Sequence, residues 1–403
     1  MELFWLEHKK LWRKKIVKIC VLLCFVYCVI FGSILSFQWF CFGSSDDYTS
    51  AFGNNFDGYT VIKDSQEYAL SFGGELTDET LQQIVSDYQQ MEADGMGEEL
   101  EKTDWQIVNS WLGTLYPELR DTSNYKTMIS YVDPDKLTGF YERRQQVLDE
   151  FLEVSGQVGA EKEFLHQIER KVEKPFHYEW VEGWSTLLGS TIADLGVVMA
   201  LFLGIVLSSL FAGEWHDNTS TLVLTTRNGW GKIALAKILT GLAFTVELFA
   251  LLAVSSVISQ LFFMGTAGWD MPIQNIKLIA VAPMNMLQAE IYEYAFVLLG
   301  AIGFAGIVMF ISAAVKNNVL TLLLSLAVVY GPMMIAEYLP YGMQKALDLI
   351  PLVGSSTDIF RTNTFRILGK LIWSPYLLIT IPVLIGILCM PFAIKSWSRR
   401  MKA

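Results

Sequence analysis

Histidine and cysteine are scarce in this chain, at 4 and 5 of 403 residues. His166 and His177 are the only histidines between positions 44 and 182, they lack metal-ligand spacing, and no nucleophile elbow occurs there. No catalytic constellation and no metal site are therefore expected in that stretch. Its want of cysteine also excludes a disulfide scaffold, so it has to hold together by its core alone. Cys20, Cys24, Cys28, Cys41 and Cys389 all fall in apolar segments or at their edges. The first three repeat every four residues down one helix face, and without a histidine or acid nearby they read as buried thiols. A phosphate-binding loop is missing too. Gly229-Trp-Gly-Lys232 is too short for one and lacks the closing hydroxyl, so the chain is expected not to be an ATPase itself.

Basic charge is the third shortage, and it is local. Positions 44–182 carry 11 Lys/Arg against 29 Asp/Glu, a net charge of −18, whereas the remainder carries 19 against 12, a net of +7. Mean hydropathy is nevertheless +0.37, with 52% hydrophobic residues. The sequence is thus two materials, an acidic polar insert and a basic, very apolar remainder, and neither suggests nucleic acid as a partner.

The apolar material divides into six segments long enough to cross a bilayer, at 16–42, 185–212, 233–264, 287–315, 319–339 and 375–394. The first is too long for a signal peptide, lacks a small-residue cleavage site, and reads as a retained anchor. Positive charge gathers before the first segment (Lys9, Lys10, Arg13, Lys14, Lys15, Lys18), after the second (Arg227, Lys232, Lys237), after the fourth (Lys316) and at the tail (Lys395, Arg399, Arg400, Lys402). With six spans these all lie on one side, which the positive-inside rule makes cytoplasmic. Both termini are then expected inside and residues 44–182 outside a cell membrane. The fold class expected is a polytopic α-helical membrane protein with a mainly helical extracellular domain inserted after its first span. The chain divides into 1–43, the domain 44–182, and the remaining spans over 183–403.

Within the domain, Thr77 is a plausible N-cap, and Leu81, Ile84, Val85, Tyr88 and Met91 trace one helical stripe. Thr103 and Gln106 make a capping-box pattern ahead of Val108, Trp111, Leu112 and Leu115. Asp133-Pro134 reads as a helix start, with Leu137, Phe140, Tyr141, Leu148, Phe151 and Leu152 as the buried side. Positions 59–63 and 68–72 read as two short strands ending at Gly73-Gly74.

Between the second and third spans stands Phe211-Ala-Gly-Glu214-Trp-His-Asp-Asn218-Thr219-Ser-Thr-Leu222-Val-Leu224-Thr-Thr-Arg227-Asn-Gly-Trp-Gly-Lys232, with Lys237 just inside the third span. This stretch resembles the permeases of ABC-2 type transporters, in which an acid closes the second span and a Thr and an apolar run follow. A basic turn and a Lys inside span three then complete the pattern. Asn218 stands where that family commonly has Gly, and Arg227 where it commonly has Pro. The opening Glu2-Leu-Phe-Trp-Leu-Glu-His-Lys9-Lys10-Leu11-Trp12-Arg13 is similar to the family's amphipathic helix on the inner leaflet. Residues 340–374 are similar to its re-entrant outer segment. The resemblance covers the spans and their loops but not the domain. It implies an exporter permease whose ATP and Mg are bound by a separate ABC ATPase subunit, with no cofactor on this chain. A second permease chain completes the pathway. It further implies that 213–232 is the coupling loop, with Glu214, Thr219, Leu222, Leu224, Arg227 and Lys232 facing or supporting the ATPase.

Glu247 falls near the middle of the third span, where an ionised carboxylate is costly. Ala236, Thr240, Ala243, Glu247 and Ala250 form a small, polar seam that serves either close helix packing or a substrate path. Asp194, Glu290 and Glu293 sit nearer the outer surface, as interfacial residues or as an acidic vestibule. A secondary transporter is the first alternative, but it should show internal repeats, and none is evident. A sensor or immunity protein whose outer domain binds a ligand is the second. The substrate class expected is hydrophobic, peptide-like or cationic.

Overall fold

The long apolar runs have no polar face to offer water, and helices are the structures that satisfy their backbone internally in lipid. The computed structural model describes residues 2–30, 62–63, 66–67, 69, 73–96, 105–121, 126–216, 231–354, 360 and 363–399. Within them the chain is mostly helical, and five helices are long and apolar enough to cross a membrane. The protein is a helical membrane protein.

It opens with α1 (Glu2–Arg13), amphipathic and broken at Lys14 from α2 (Lys15–Val29). Cys20, Cys24 and Cys28 are buried along one side of α2, as their spacing predicts. The remainder of the first apolar segment lies outside the described residues. The polar domain follows, with β1 (Gly74–Leu76), α3 (Asp78–Met91), α4 (Trp105–Leu115), α5 (Phe140–Val154), α6 (Ala160–Glu169) and β2 (Phe176–Tyr178). The short α7 (Glu182–Thr186) leads into the apolar helices α8 (Ile192–His216), α9 (Lys232–Met264), α10 (Met286–Ala314) and α11 (Asn318–Ile335). A seven-residue helix α12 (Tyr341–Leu347) and the hairpin β3 (Thr364–Ile367) and β4 (Lys370–Trp373) precede the last apolar helix, α13 (Ser374–Arg399).

Two sheets of two strands exist among the described residues, and in the polar domain β1 pairs antiparallel with β2, Glu75 opposite His177. Where strands are expected at 59–63 and 68–72, the described residues Ile62, Lys63 and Ala69 are helical and the others lie outside the described residues; extended pairing is seen from Gly74. Thr77 does cap α3, its hydroxyl accepting from the Thr80 amide at 3.3 Å. The capping pair Thr103 and Gln106 is only partly described, and the stripe that follows it is buried. Asp133-Pro134 opens a 3-10 turn over Pro134–Lys136 rather than α5. Gly139, at φ 71°, breaks the chain there, and the Asp78 carboxylate accepts from the Gly139 and Phe140 amides at 2.7 and 2.9 Å to start α5. Helical phase set from Phe140 leaves Phe151 38% exposed while Leu148 and Leu152 are buried.

The insert does not build its core alone. Trp111, Phe140, Phe176 and Tyr178 meet edge to face, and Met271, Ile273, Leu278, Ala280, Val281 and Ala282 from the α9–α10 connection are buried in the same cluster. The Trp111 indole donates to the Asn275 carbonyl at 2.8 Å, and the Asn275 amide donates to the His177 carbonyl at 2.5 Å. The connection carries too many apolar residues to be left in water.

In the helical part, α10 lies along α13 at unusually close range. A Cβ on Gly303 would strike the carbonyl of Pro382, and one on Gly386 would strike the backbone of Gly303. Small residues permit this approach. Gly303→Leu is expected to separate the two helices and abolish most folded, monodisperse protein in detergent, whereas Gly331→Leu, where a Cβ meets open space, is expected to leave the yield within about twofold of wild type. Fluorescence-detected size-exclusion chromatography compares them directly.

Candidate functional site

The end of the helical part away from the polar domain is organised by charge. Glu214 lies in the last turn of α8 and Lys237 in the second turn of α9, so the two helix ends that flank segment 217–230 come together at one place. Glu214 is 4% exposed and Lys237 2%. The Lys237 ammonium donates to Glu214 and to Glu7, both at 2.8 Å, and Lys10 donates to the same Glu214 oxygen at 2.6 Å. Lys14 adds a bond to the Ser209 hydroxyl at 2.9 Å. Helix α1 supplies Glu7 and Lys10 from one side because they are three apart and share a face. Its other side exposes Trp5 and Leu6. Charges this deep are worth little as net stability, since desolvation opposes them, but their geometry is fixed and loss of one partner is costly. Beside the cluster, Lys316 sits over the Trp215 ring at 4.4 Å, and Trp215 meets Trp397 of α13 edge to face.

Glu247 is also held by α1. His8 lies 3.2 Å from its carboxylate and the Trp12 indole donates to it at 3.0 Å, with Phe244 against Trp12. Its side chain remains 43% exposed, so it is a partly open docking point for the amphipathic helix. Thr240, about two turns earlier on the same face, is fully buried, and its hydroxyl has no partner among the described residues.

Glu290 and Glu293 lie at the opposite end, in the first turns of α10, 4% and 0% exposed. Ser256 of α9 and Tyr294 of α10 share a hydrogen bond of 2.8 Å, which fixes the register of the two helices. Ser256 is nine residues from Glu247, roughly 14 Å along the axis. The structure therefore does not gather the intramembrane acids into one place: Glu247 belongs with α1, and Glu290 with Glu293 belongs near the polar domain. Asp194 falls in the first turn of α8. Thr219, Leu222, Leu224 and Arg227 lie outside the described residues, while Lys232 is exposed at the first position of α9.

Sequence reasoning pointed to Glu214 and to Lys237 but not to their bond. It missed Glu7, Lys10, His8 and Trp12 as partners, for the amphipathic pattern of α1 reads equally well as a helix facing phosphate and water. Among the described residues no three His, Cys, Asp or Glu side chains converge as a metal site. No family model, curated protein or solved structure matches the chain.

Proposed function

We propose that the chain is the membrane-spanning permease subunit of an ATP-driven exporter, with six spans, both termini in the cytoplasm and the acidic domain outside. A separate ABC ATPase subunit hydrolyses ATP, a second permease chain completes the pathway, and the cargo is hydrophobic, peptide-like or cationic. The observation that carries this reading is the Glu214–Lys237 bond at 2.8 Å, buried at the two ends of segment 217–230. A segment that must pass force from an ATPase into the membrane needs both ends fastened to the helices it moves, and a loop hinged on free chain would absorb that force. Here the fastening reaches α8, α9 and α1 together through Lys10 and Glu7. The resemblance of 211–237 to the ABC-2 permeases supplies the identity of the partner.

Affinity purification of the full chain expressed with its neighbouring genes tests this. A nucleotide-binding subunit is expected to co-purify with vanadate-sensitive ATPase activity, and Leu222→Ala/Leu224→Ala is expected to lower its recovery about tenfold or more while the permease remains folded. A chain that purifies alone, with no ATPase activity, overturns the reading and returns the gradient-driven transporter and the sensor to the front.

A further inference from the structure

The polar side chains buried between α9 and α10 exceed what packing needs. None of the four carboxylate oxygens of Glu290 and Glu293 has a hydrogen-bond partner among the described residues. Gln260 of α9 is 0% exposed, and both of its amide atoms are likewise without a partner there. Helical register puts Gln260 and Glu290 at one level, with Glu293 about one turn along α10 from it. The Ser256–Tyr294 bond sets two antiparallel helices in register. Gln260 is one turn beyond Ser256, and Glu290 is one turn before Tyr294, so the orphaned amide comes opposite the orphaned carboxylate. Tyr294 lies beside Glu290 with its hydroxyl shared with Ser256, and Glu293 stands three residues from Glu290 on the same helix. Lys277 acts on Glu293 through space but does not satisfy its oxygens.

We infer that Gln260, Glu290 and Glu293 form the centre of an oxygen-lined site for a divalent hard cation of the calcium class, with the Tyr294 and Ser256 hydroxyls at its edge. Charge selects the valence, since the Lys277 ammonium is exposed to water, and two buried carboxylates with one divalent ion leave no net charge in the apolar interior, whereas a monovalent ion leaves one negative charge unmatched. Donor chemistry selects the class. Carboxylate, amide and hydroxyl oxygens suit hard cations, and no thiolate or imidazole belongs to the set. Calcium accepts an irregular shell of six to eight oxygens, while magnesium demands a near-ideal octahedron and keeps its waters. The ion would bind α9 to α10 at the root of the connection that is buried in the polar-domain core. It would thereby join the domain's seat to the helices. The site needs no ATPase partner and stands whether or not the exporter reading does.

Thermal unfolding of the purified full-length chain, stripped with EGTA and followed by tryptophan fluorescence, reads the site directly. Saturating calcium chloride is expected to raise the midpoint by about 5 °C, magnesium chloride to raise it less, and sodium chloride not at all. Glu290→Gln/Glu293→Gln is expected to remove the calcium response, and Gln260→Leu to weaken the apparent affinity about tenfold. Should the double variant fail to fold, terbium luminescence on the wild-type protein, sensitised by nearby aromatic rings and displaced by calcium, gives the same answer. Equal midpoints in EGTA and calcium, with no displaceable terbium, overturn the inference. So does a calcium response that survives unchanged in the double variant, since surface carboxylates would then be its source. A protonated-carboxyl infrared band present in wild type and absent from the double variant, with no calcium response, identifies a neutral proton-bearing pair in place of the metal site.

Discussion

Replacing Arg144 with alanine is expected to cost the polar domain about 3–5 kcal/mol, the penalty for removing one member of a fully buried ion pair. Arg144 is 0% exposed. Its guanidinium donates to Glu169 at 2.6 Å, to the Leu278 carbonyl at 2.7 Å and to the Ala280 carbonyl at 3.1 Å. One side chain therefore joins α5, α6 and the α9–α10 connection, and its face covers the Phe176 ring at 5.2 Å. Alanine leaves Glu169 buried with Lys174, at 2.9 Å, as its remaining cation, and strips the Leu278 carbonyl of its donor, while the Ala280 carbonyl keeps the Gln274 amide at 3.0 Å. The change is read as a lower unfolding midpoint together with rapid tryptic cleavage at Lys277, which the native docking protects. A midpoint within about 1 °C of wild type would show that the connection is held by apolar contacts alone. The pair also sets a pH dependence. Burial draws the Glu169 carboxyl upward, but Lys174 and Arg144 more than offset that and hold it below its usual range. Its contribution is therefore complete above the unfolded carboxyl's pKa, about 4.3, and is lost as pH falls through the lower folded value.

What the sequence made plain was whatever rests on local period. The last five apolar runs became helices close to their expected bounds, Thr77 capped α3, and the stripes through Leu81–Tyr88 and Val108–Leu115 faced the core. Errors arose where a distant group decided the matter. Asp133-Pro134 has every local mark of a helix start, yet Asp78, more than fifty residues earlier, caps the chain at Gly139 and Phe140 instead. The share of the 271–289 chain in the polar-domain core is likewise invisible to periodicity, because its residues are buried by a domain that is remote in sequence.

The site divides along the same line. A glutamate at the close of one apolar segment and a lysine just inside the next mark both ends of the segment between them, and their types and spacing are readable. That they touch, and that α1 brings Glu7 and Lys10 to them, depends on how the amphipathic helix folds back, which no residue of α1 announces. Gln260 is the clearest case. A glutamine on an apolar helix looks unremarkable until the helix packed against it proves to carry two buried carboxylates that, like the glutamine, have no partner among the described residues.

Glu214→Ala is expected to cost about 3 kcal/mol, toward the lower end for a buried pair because Lys237 keeps Glu7 as an acceptor at 2.8 Å. Lys237→Met should cost a similar amount, by taking from Glu214 its one fully buried cation and leaving the half-exposed Lys10 beside it. The informative variant is the double one, Glu214→Leu/Lys237→Met. It removes both charges, replaces them with apolar volume, and is expected to recover most of the lost stability, since a buried pair commonly contributes less than its desolvation costs. Stability and fastening then part company. If segment 217–230 only connects two helices, restored folding restores everything. If it passes force from an ATPase, as proposed, the double variant regains the wild-type unfolding midpoint while ATP-driven transport in proteoliposomes stays at least tenfold down. ATP hydrolysis would then continue uncoupled from transport. Recovery of transport along with stability would reduce the Glu214–Lys237 bond to a packing contact and would remove the observation on which the exporter reading rests.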